Sequence, residues 1–246
     1  MLTTHRKKLL LARLAAEGQL VAKALAHELG TSEDTIRRDL RELAAEGLLQ
    51  RVHGGALPAS AAIGDLEARG QVSTADKVAL GRLGASLVRP GQVVILDGGT
   101  TALQVARHLA PGLRATVVTH SPTVAVELAR HPGIEILVLG GRLFRHSMVN
   151  VGAAVIAAAS QLRADLFFLG VTGVGMDAVK RALHERAAET VVLASPEKLM
   201  AASSFVVAPL SELALLVVPG TTPARVTRAL RAGGACVRKA QGLRGD

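Results

Sequence analysis

The chain has no tryptophan and no tyrosine, and only four phenylalanines in 246 residues. Its core must therefore be built from Ala, Val, Leu and Ile. A single cysteine, Cys236, excludes an internal disulfide and leaves no partner for a cysteine metal site. Long apolar runs are also missing. The richest stretches, VVILDGG and IEILVLGG, stop at Gly or a charge well short of the ~18 uninterrupted apolar residues of a membrane span. The N-terminus has no signal-peptide layout, because His5, Arg6, Lys7 and Lys8 run straight into an amphipathic pattern. The expectation is a soluble cytoplasmic protein with no membrane partner, no cofactor and no metal. Its length allows one large domain or two smaller ones with a real core. No internal repeat and no low-complexity tract is present.

Positive charge is in excess, a net of +9, but its location matters. Residues 1–56 carry nine basic against seven acidic residues, whereas residues 221–246 carry six against one. Arg225, Arg228 and Arg231 fall on one side of an expected last helix. Overall basicity is thus weak evidence for nucleic-acid binding, and the pattern has to carry that case.

Three short helices are expected first, over residues 4–17, 21–29 and 32–46, with Gly18, Gly30 and Gly47 as stops and Thr31 or Ser32 as the third helix's cap. Ile36, Leu40, Leu43 and Ala44 recur at helical spacing and should face the first two helices. LLQRVHGGA then reads as strand, turn and strand. Three helices plus a two-stranded ribbon is the outline of a winged helix-turn-helix, assigned to residues 1–57. Residues 58–73 lack periodicity and read as a linker. From residue 74 to 246, continuous apolar strands (VVILD, ATVVT, IEILVLGG, LFFLGV, TVVLAS, LALLVV) alternate with helices. That alternation indicates an α/β domain with a mostly parallel sheet covered on both faces.

Arg37 and Arg38 have two readings. Glu33–Arg37, Asp34–Arg38 and Arg38–Glu42 stand at i,i+4 and suit a solvated helix face. With Ile36, Leu40 and Leu43 buried, however, Arg37, Arg38 and Arg41 project outward together with Ser32 and Thr35, as a recognition helix entering a major groove requires. The arginine fork binds guanine or phosphate in bidentate fashion. Arg51 and His53 on the wing would contact backbone, with Gly54 and Gly55 permitting a tight turn beside it.

The run TSEDTIRRDLRELAAEGLLQRVHGGA resembles the N-terminal signature of the DeoR family of bacterial transcriptional regulators, with its TIRRDL helix and R-x-H-G-G-A wing. The resemblance implies that these arginines read and anchor operator DNA.

LDGGTT places an acid, two glycines and two threonines between a strand and a helix, where backbone N–H groups and hydroxyls can hold a phosphate. The residues concerned are Asp97, Gly98, Gly99, Thr100 and Thr101. Such turns also occur with no ligand, and this one is neither a dinucleotide fingerprint nor a P-loop. His120 and Ser121, Gly140 with Gly141 and Arg142, residues 170–173, and Lys198 stand at other strand ends, where open α/β sheets bind ligands. His120 admits two roles, general base or hydrogen-bonding anchor; no carboxylate stands at a telling spacing, which favours the second. These pieces also resemble the family's C-terminal sensor domain, which is similar in fold to ribose-5-phosphate isomerase and usually binds a phosphorylated sugar or sugar derivative. The stretch between Gly173 and Lys180 is about ten residues shorter than the family pattern and lacks its ligand-contacting acid, for which Asp177 is the candidate substitute.

The expectation is a non-enzymatic, operator-binding repressor of carbohydrate or sugar-phosphate genes, a homo-dimer or tetramer released by a phosphorylated sugar-type effector. Two rivals stand beside it: a sugar-phosphate isomerase with a DNA-binding appendage, and a regulator without effector response.

Overall fold

The computed structural model describes residues 3–17, 20–46, 48–52, 54–58, 66–171, 177–199 and 207–241. They divide into two compact units, residues 3–58 and residues 66–241.

The first unit contains α1 (Thr3–Glu17), β1 (Leu20–Val21), α2 (Ala22–Glu28), α3 (Glu33–Ala45), β2 (Leu49–Val52) and β3 (Gly55–Pro58). Ser32 starts α3, its hydroxyl accepting from the Thr35 N–H at 3.1 Å. Ile36, Leu40 and Leu43 turn inward against Leu10, Leu14 and Leu25. Each fully buried aliphatic side chain contributes roughly 1.5–3 kcal/mol. The ribbon has three strands, in the order β1-β3-β2. The added strand β1 is only two residues long and escapes a periodicity search. It explains Gly55, where a Cβ would stand 1.7 Å from the Leu20 carbonyl oxygen. Gly54 supplies the turn, with φ +82°.

The second unit opens with α4 (Leu66–Gln71) and α5 (Thr74–Ala85). Helix α4 replaces the later part of the expected linker 58–73: Arg69 is buried and its guanidinium reaches the His146 carbonyl and the Ser147 hydroxyl, both at 3.3 Å. Long-range polar anchoring of this kind leaves no local periodicity. The chain continues through β4 (Val93–Leu96), α6 (Thr100–Arg107), β5 (Ala115–Thr119), α7 (Pro122–Leu128) and β6 (Ile134–Val138). A hairpin of β7 (Arg142–Phe144) and β8 (Val149–Val151) follows. Then come α8 (Ala153–Ser160), β9 (Ala164–Leu169), α9 (Asp177–His184), β10 (Ala187–Leu193), α10 (Pro196–Leu199), β11 (Leu215–Pro219), α11 (Ala224–Ala232) and β12 (Val237–Ala240).

Seven strands form one parallel sheet in the order β12-β11-β10-β9-β4-β5-β6. Alternate residues feed two cores. Val94, Leu96 and Phe168 pack with Leu80, Val105 and Leu128 on one face. Ile95, Phe167 and Leu169 pack with Val155, Val179 and Leu183 on the other. From β4 the chain proceeds outward through β5 to β6, then returns to the opposite side of β4 with β9. Strand order therefore reverses between β4 and β9, the place where an open parallel sheet leaves a crevice at its strand C-termini. Asp97 follows β4 and Gly170 follows β9.

Candidate functional site

In the first unit, Arg37 and Arg38 lie on the outer face of α3. The Arg37 guanidinium meets Glu33 at 2.7 Å and that of Arg38 meets Glu42 at 3.4 Å, with the arginine side chains 52% and 73% exposed. Pairs this exposed contribute little to stability and open readily for a ligand. The expected Asp34–Arg38 pair is not formed among the described residues. Asp34 instead joins Arg37, Arg38, Arg41, Arg51, Gly54 and Gly55 around a concavity of about 540 Å³ between α3 and the wing. Four arginines from two elements thus converge on one hollow. Ser32 and Thr35 serve the helix start, their hydroxyls 2.8 Å apart. His53 lies outside the described residues.

The acid of the RRDL run behaves differently from its neighbours. Asp39 is 1% exposed and is held in a two-point ion pair by Arg6 of α1, the second contact measuring 3.2 Å. It locks α3 to α1 and takes no part in the outer face. The sequence hint was its spacing, three residues after Ile36 and hence on the buried side.

In the second unit, Asp97 is the hub of a buried polar cluster at the strand-order reversal. Its Oδ1 accepts from the Gly98 N–H at 2.7 Å and faces His120 Nε2 at 2.7 Å. Its Oδ2 accepts from the Gly170 N–H at 2.8 Å and lies 3.2 Å from Lys180 Nζ. The other His120 nitrogen, Nδ1, faces the Asn150 carbonyl at 2.8 Å. Burial pushes the Asp97 carboxyl up, but the Lys180 ammonium, the His120 hydrogen bond and the Gly98 N–H outweigh it and hold it well below the usual carboxylate range. The carboxylate partner for His120 that sequence spacing did not show is therefore Asp97, 23 residues earlier.

Beside this cluster stands a cavity of about 620 Å³ lined by Lys77, Thr100, Gln104, Arg107, Arg145 and Met148, among others. Gly99, with φ +108°, lets the chain turn from β4 into α6 and sets Thr100 on the cavity wall. A Cβ at Gly98 would lie 2.1 Å from Val149. Thr101 is buried, its hydroxyl unpartnered among the described residues. Met148, on the lining, and Ser73, the residue before α5, both hold positive φ (50° and 49°), a local strain that tends to mark ligand sites.

Lys198 is buried, and so are Lys77, Lys180 and Arg69. Burial, and then the charges of Lys180, Lys77 and Arg69, push the Lys198 ammonium down to about 8, against a weaker opposing pull from Glu197. Glu197 lies 3.3 Å from Lys77 and accepts from the Ser195 hydroxyl at 2.6 Å. Burial raises the Glu197 carboxyl, yet the Ser195 hydrogen bond and its other partners hold it below its ordinary value. Among the described residues, these four buried cations have two carboxylates close by, the buried Asp97 and the partly buried Glu197.

The structure brings Asp97, Gly98, Gly99, Thr100, Thr101, His120, Ser121 and Lys198 into this region, but not all at the cavity. Ser121 is fully buried and ties α7 to the β7–β8 hairpin through the Met148 carbonyl at 3.1 Å. Gly140, Gly141 and Arg142 are exposed at the start of that hairpin and do not line the cavity; Arg145 does. The side chain of Asp177 is outside the described residues. Lys77, Arg69 and Lys180 were not foreseen, because isolated basic residues carry no spacing signal.

A family model described as the DeoR C terminal sensor domain matches residues 72–220, and one described as the DeoR-like helix-turn-helix domain matches residues 6–61. The chain is 31% identical to the HTH-type transcriptional regulator GlpR of Haloferax volcanii, over 96% of this chain and 98% of that protein. It is 33% identical to the HTH-type transcriptional repressor GlcR of Bacillus subtilis, over 83% of each. Among solved structures it is similar to a ribose 5-phosphate isomerase A of Methanocaldococcus jannaschii, with 18% identity and a TM-score of 0.36, covering 50% of this chain and 52% of that one. A probable sor operon regulator of Shigella flexneri shows 10% identity and a TM-score of 0.39, covering 53% and 79%. Among the described residues no helix is long and apolar enough to cross a membrane. With both parts matched in order and curated relatives aligned over nearly its whole length, the chain belongs to the DeoR family of transcriptional regulators.

Proposed function

We propose that the chain represses carbohydrate or sugar-phosphate genes as a homo-oligomer on a roughly palindromic operator, and that a phosphorylated sugar or sugar derivative releases it. The observation that carries the effector half is the cationic wall of the cavity beside Thr100, where the buried Lys77 stands with Arg107 and Arg145 against the single acid Glu67. A phosphate suits such a wall, and the cavity, about 620 Å³ in all, has room for the sugar as well. The DNA half rests on the arginine-lined hollow of the first unit. Two heads on half-sites ~34 Å apart compensate for the weak charge of each. Release requires the effector to bind the off-DNA state more tightly than the DNA-bound one.

A sugar-phosphate isomerase would need an acid/base pair facing its ligand. Asp97 and His120 are fully buried and direct their polar atoms at each other, at Lys180 and at backbone groups. The deciding experiment is a thermal-shift and operator-release screen of sugar phosphates against the free sugars, with a ribose 5-phosphate turnover assay alongside. Stabilisation and release by a phosphorylated compound but not its free sugar, lost in Thr100→Val, is the expected result. Turnover would favour the isomerase, and no response to any phosphorylated compound would leave a regulator without an effector.

A further inference from the structure

From Leu213 to Gln241 the chain holds five basic residues and no acid. Arg225, Arg228 and Arg231 stand on α11, and Arg238 and Lys239 on β12. All five are exposed. Thr227 is buried and Leu230 packs against the core around Leu213 and Ala235, so the three arginines share the outer side of their helix. None of the five forms an ion pair among the described residues. Arg231 donates to the Val237 carbonyl at 3.2 Å and Lys239 to the Gly220 and Thr222 carbonyls at 3.2 and 2.6 Å. Those bonds orient the side chains without neutralising them.

This face contrasts with the DNA-binding unit. Residues 32–46, which include α3, have three arginines against five acids. Sequence-independent affinity for DNA comes from neutralised phosphates, and α3 by itself provides little of it. More than half of the chain's net charge, +5 of +9, lies in residues 221–246 at the other end of the sequence. Two charges on β12 are enough to keep this sheet edge from pairing with another strand, and the α11 arginines lie off that strand. They rise ~4.5 Å apart along the helix, and a duplex offers a phosphate every ~3.4 Å per strand along its axis. The guanidinium fork suits phosphate oxygens.

We propose that the outer face of α11, with Arg238 of β12, binds the phosphate backbone of duplex DNA as a second, sequence-independent contact of the full-length regulator. The test uses full-length protein and a long random-sequence duplex, with affinity measured by fluorescence anisotropy across a salt series. Arg225→Gln/Arg228→Gln should bind this duplex at least tenfold more weakly at low salt. Its slope of log affinity against log salt should be shallower by ~1.8, as expected for two lost phosphate contacts. Its melting temperature should be unchanged, because both side chains are exposed. Restoring the charge as Arg225→Lys/Arg228→Lys should recover most of the slope. Identical affinity and slope in the Gln variant would overturn the proposal. Loss of repression in a purified transcription assay, with DNA affinity and slope intact, would assign the face to an acidic protein surface and overturn it as well.

Discussion

His120 Nε2 lies 2.7 Å from Asp97 Oδ1, joining the C-terminal ends of β5 and β4, two neighbouring strands of the sheet. The opposite ring nitrogen lies 2.8 Å from the Asn150 carbonyl. Both nitrogens face oxygens of the protein. A ring engaged at both ends in this way is an anchor and leaves neither nitrogen facing a ligand. Through Lys180 and the Gly170 N–H, the same carboxylate also ties in α9 and the end of β9. The cluster frames the crevice in which the cations sit.

Asp97→Ala should therefore destabilise the second unit strongly. It leaves Lys180 and His120 buried without their anion, a loss of roughly 3–5 kcal/mol for a broken buried pair. The sign with pH follows from the depressed Asp97 carboxyl. Its contribution is present above the ordinary carboxylate range and is lost as pH falls through the lower folded value. Asp97→Asn should melt earlier at neutral pH and lack that part of the acid sensitivity. Equal melting of the Asn variant and the unaltered protein from neutral pH into acid would remove the framing role.

On the DNA side, Arg38→Ala should lower affinity for the operator by about 1–3 kcal/mol, if its side chain reads a base. Its 73% exposed side chain and weak tie to Glu42 leave it available. Arg51→Ala should weaken binding to all sequences alike and flatten the salt slope by ~0.9. A footprint on DNA upstream of the chain's own gene supplies the probe. Unchanged gel-shift affinity in both variants would dissociate the hollow from DNA recognition.

Asp39→Ala tests a different part of the same helix. The acid lies between Arg38 and Leu40 yet points inward to Arg6. Because Arg6 is only partly buried, with 11% of its side chain exposed, the cost should be about 1–3 kcal/mol, that of leaving a charged hydrogen-bonding group unsatisfied. Melting of the first unit should fall and DNA affinity should fall with it, while effector-induced stabilisation of the second unit persists. A variant that melts normally but no longer binds DNA would instead make Asp39 a contact residue.

What could be read from the sequence follows from where the information lies. Ile36, Leu40 and Leu43 repeat at helical spacing, Ser32 caps and Gly54 turns, so the first unit was legible from local pattern. The strands β4, β5, β9, β10 and β11 each carry consecutive buried apolar residues, so the parallel sheet was legible too. Strand β12 was not, because VRKA has two charged residues in four and is held by pairing with β11. Nor were α4 and the β7–β8 hairpin, which flank the cavity. The site was legible only where a motif marks it. Asp97, the glycines and Thr100 are set by a turn, whereas Lys77, Lys180 and Arg69 are gathered from three separate helices by the fold. Gly140, Gly141 and Arg142 form a motif that the structure leaves away from the cavity wall.

Lys198 ties this group of buried cations to pH. In the folded chain its ammonium is pushed down to about 8 from an ordinary 10.5. Between those values the unfolded chain binds more protons, so this group makes stability rise with pH across that window, by at most roughly 3 kcal/mol. Below it, the folded protein carries the full cost of a buried cation among cations. Lys198→Met should remove that cost and melt higher at neutral pH. A bound phosphate ester reverses the balance, because an anion beside the amine favours its protonated form. Binding should then take up a proton as pH passes 8, and affinity for a sugar phosphate should fall between about pH 8 and 10. The phosphate itself stays dianionic there, since its second ionisation lies near 6. Calorimetry in buffers of different ionisation heat reads the proton uptake directly. Lys198→Met should bind at least tenfold more weakly and lose the pH dependence. Equal affinity and an equal proton count in that variant would place the anion elsewhere and separate Lys198 from the effector.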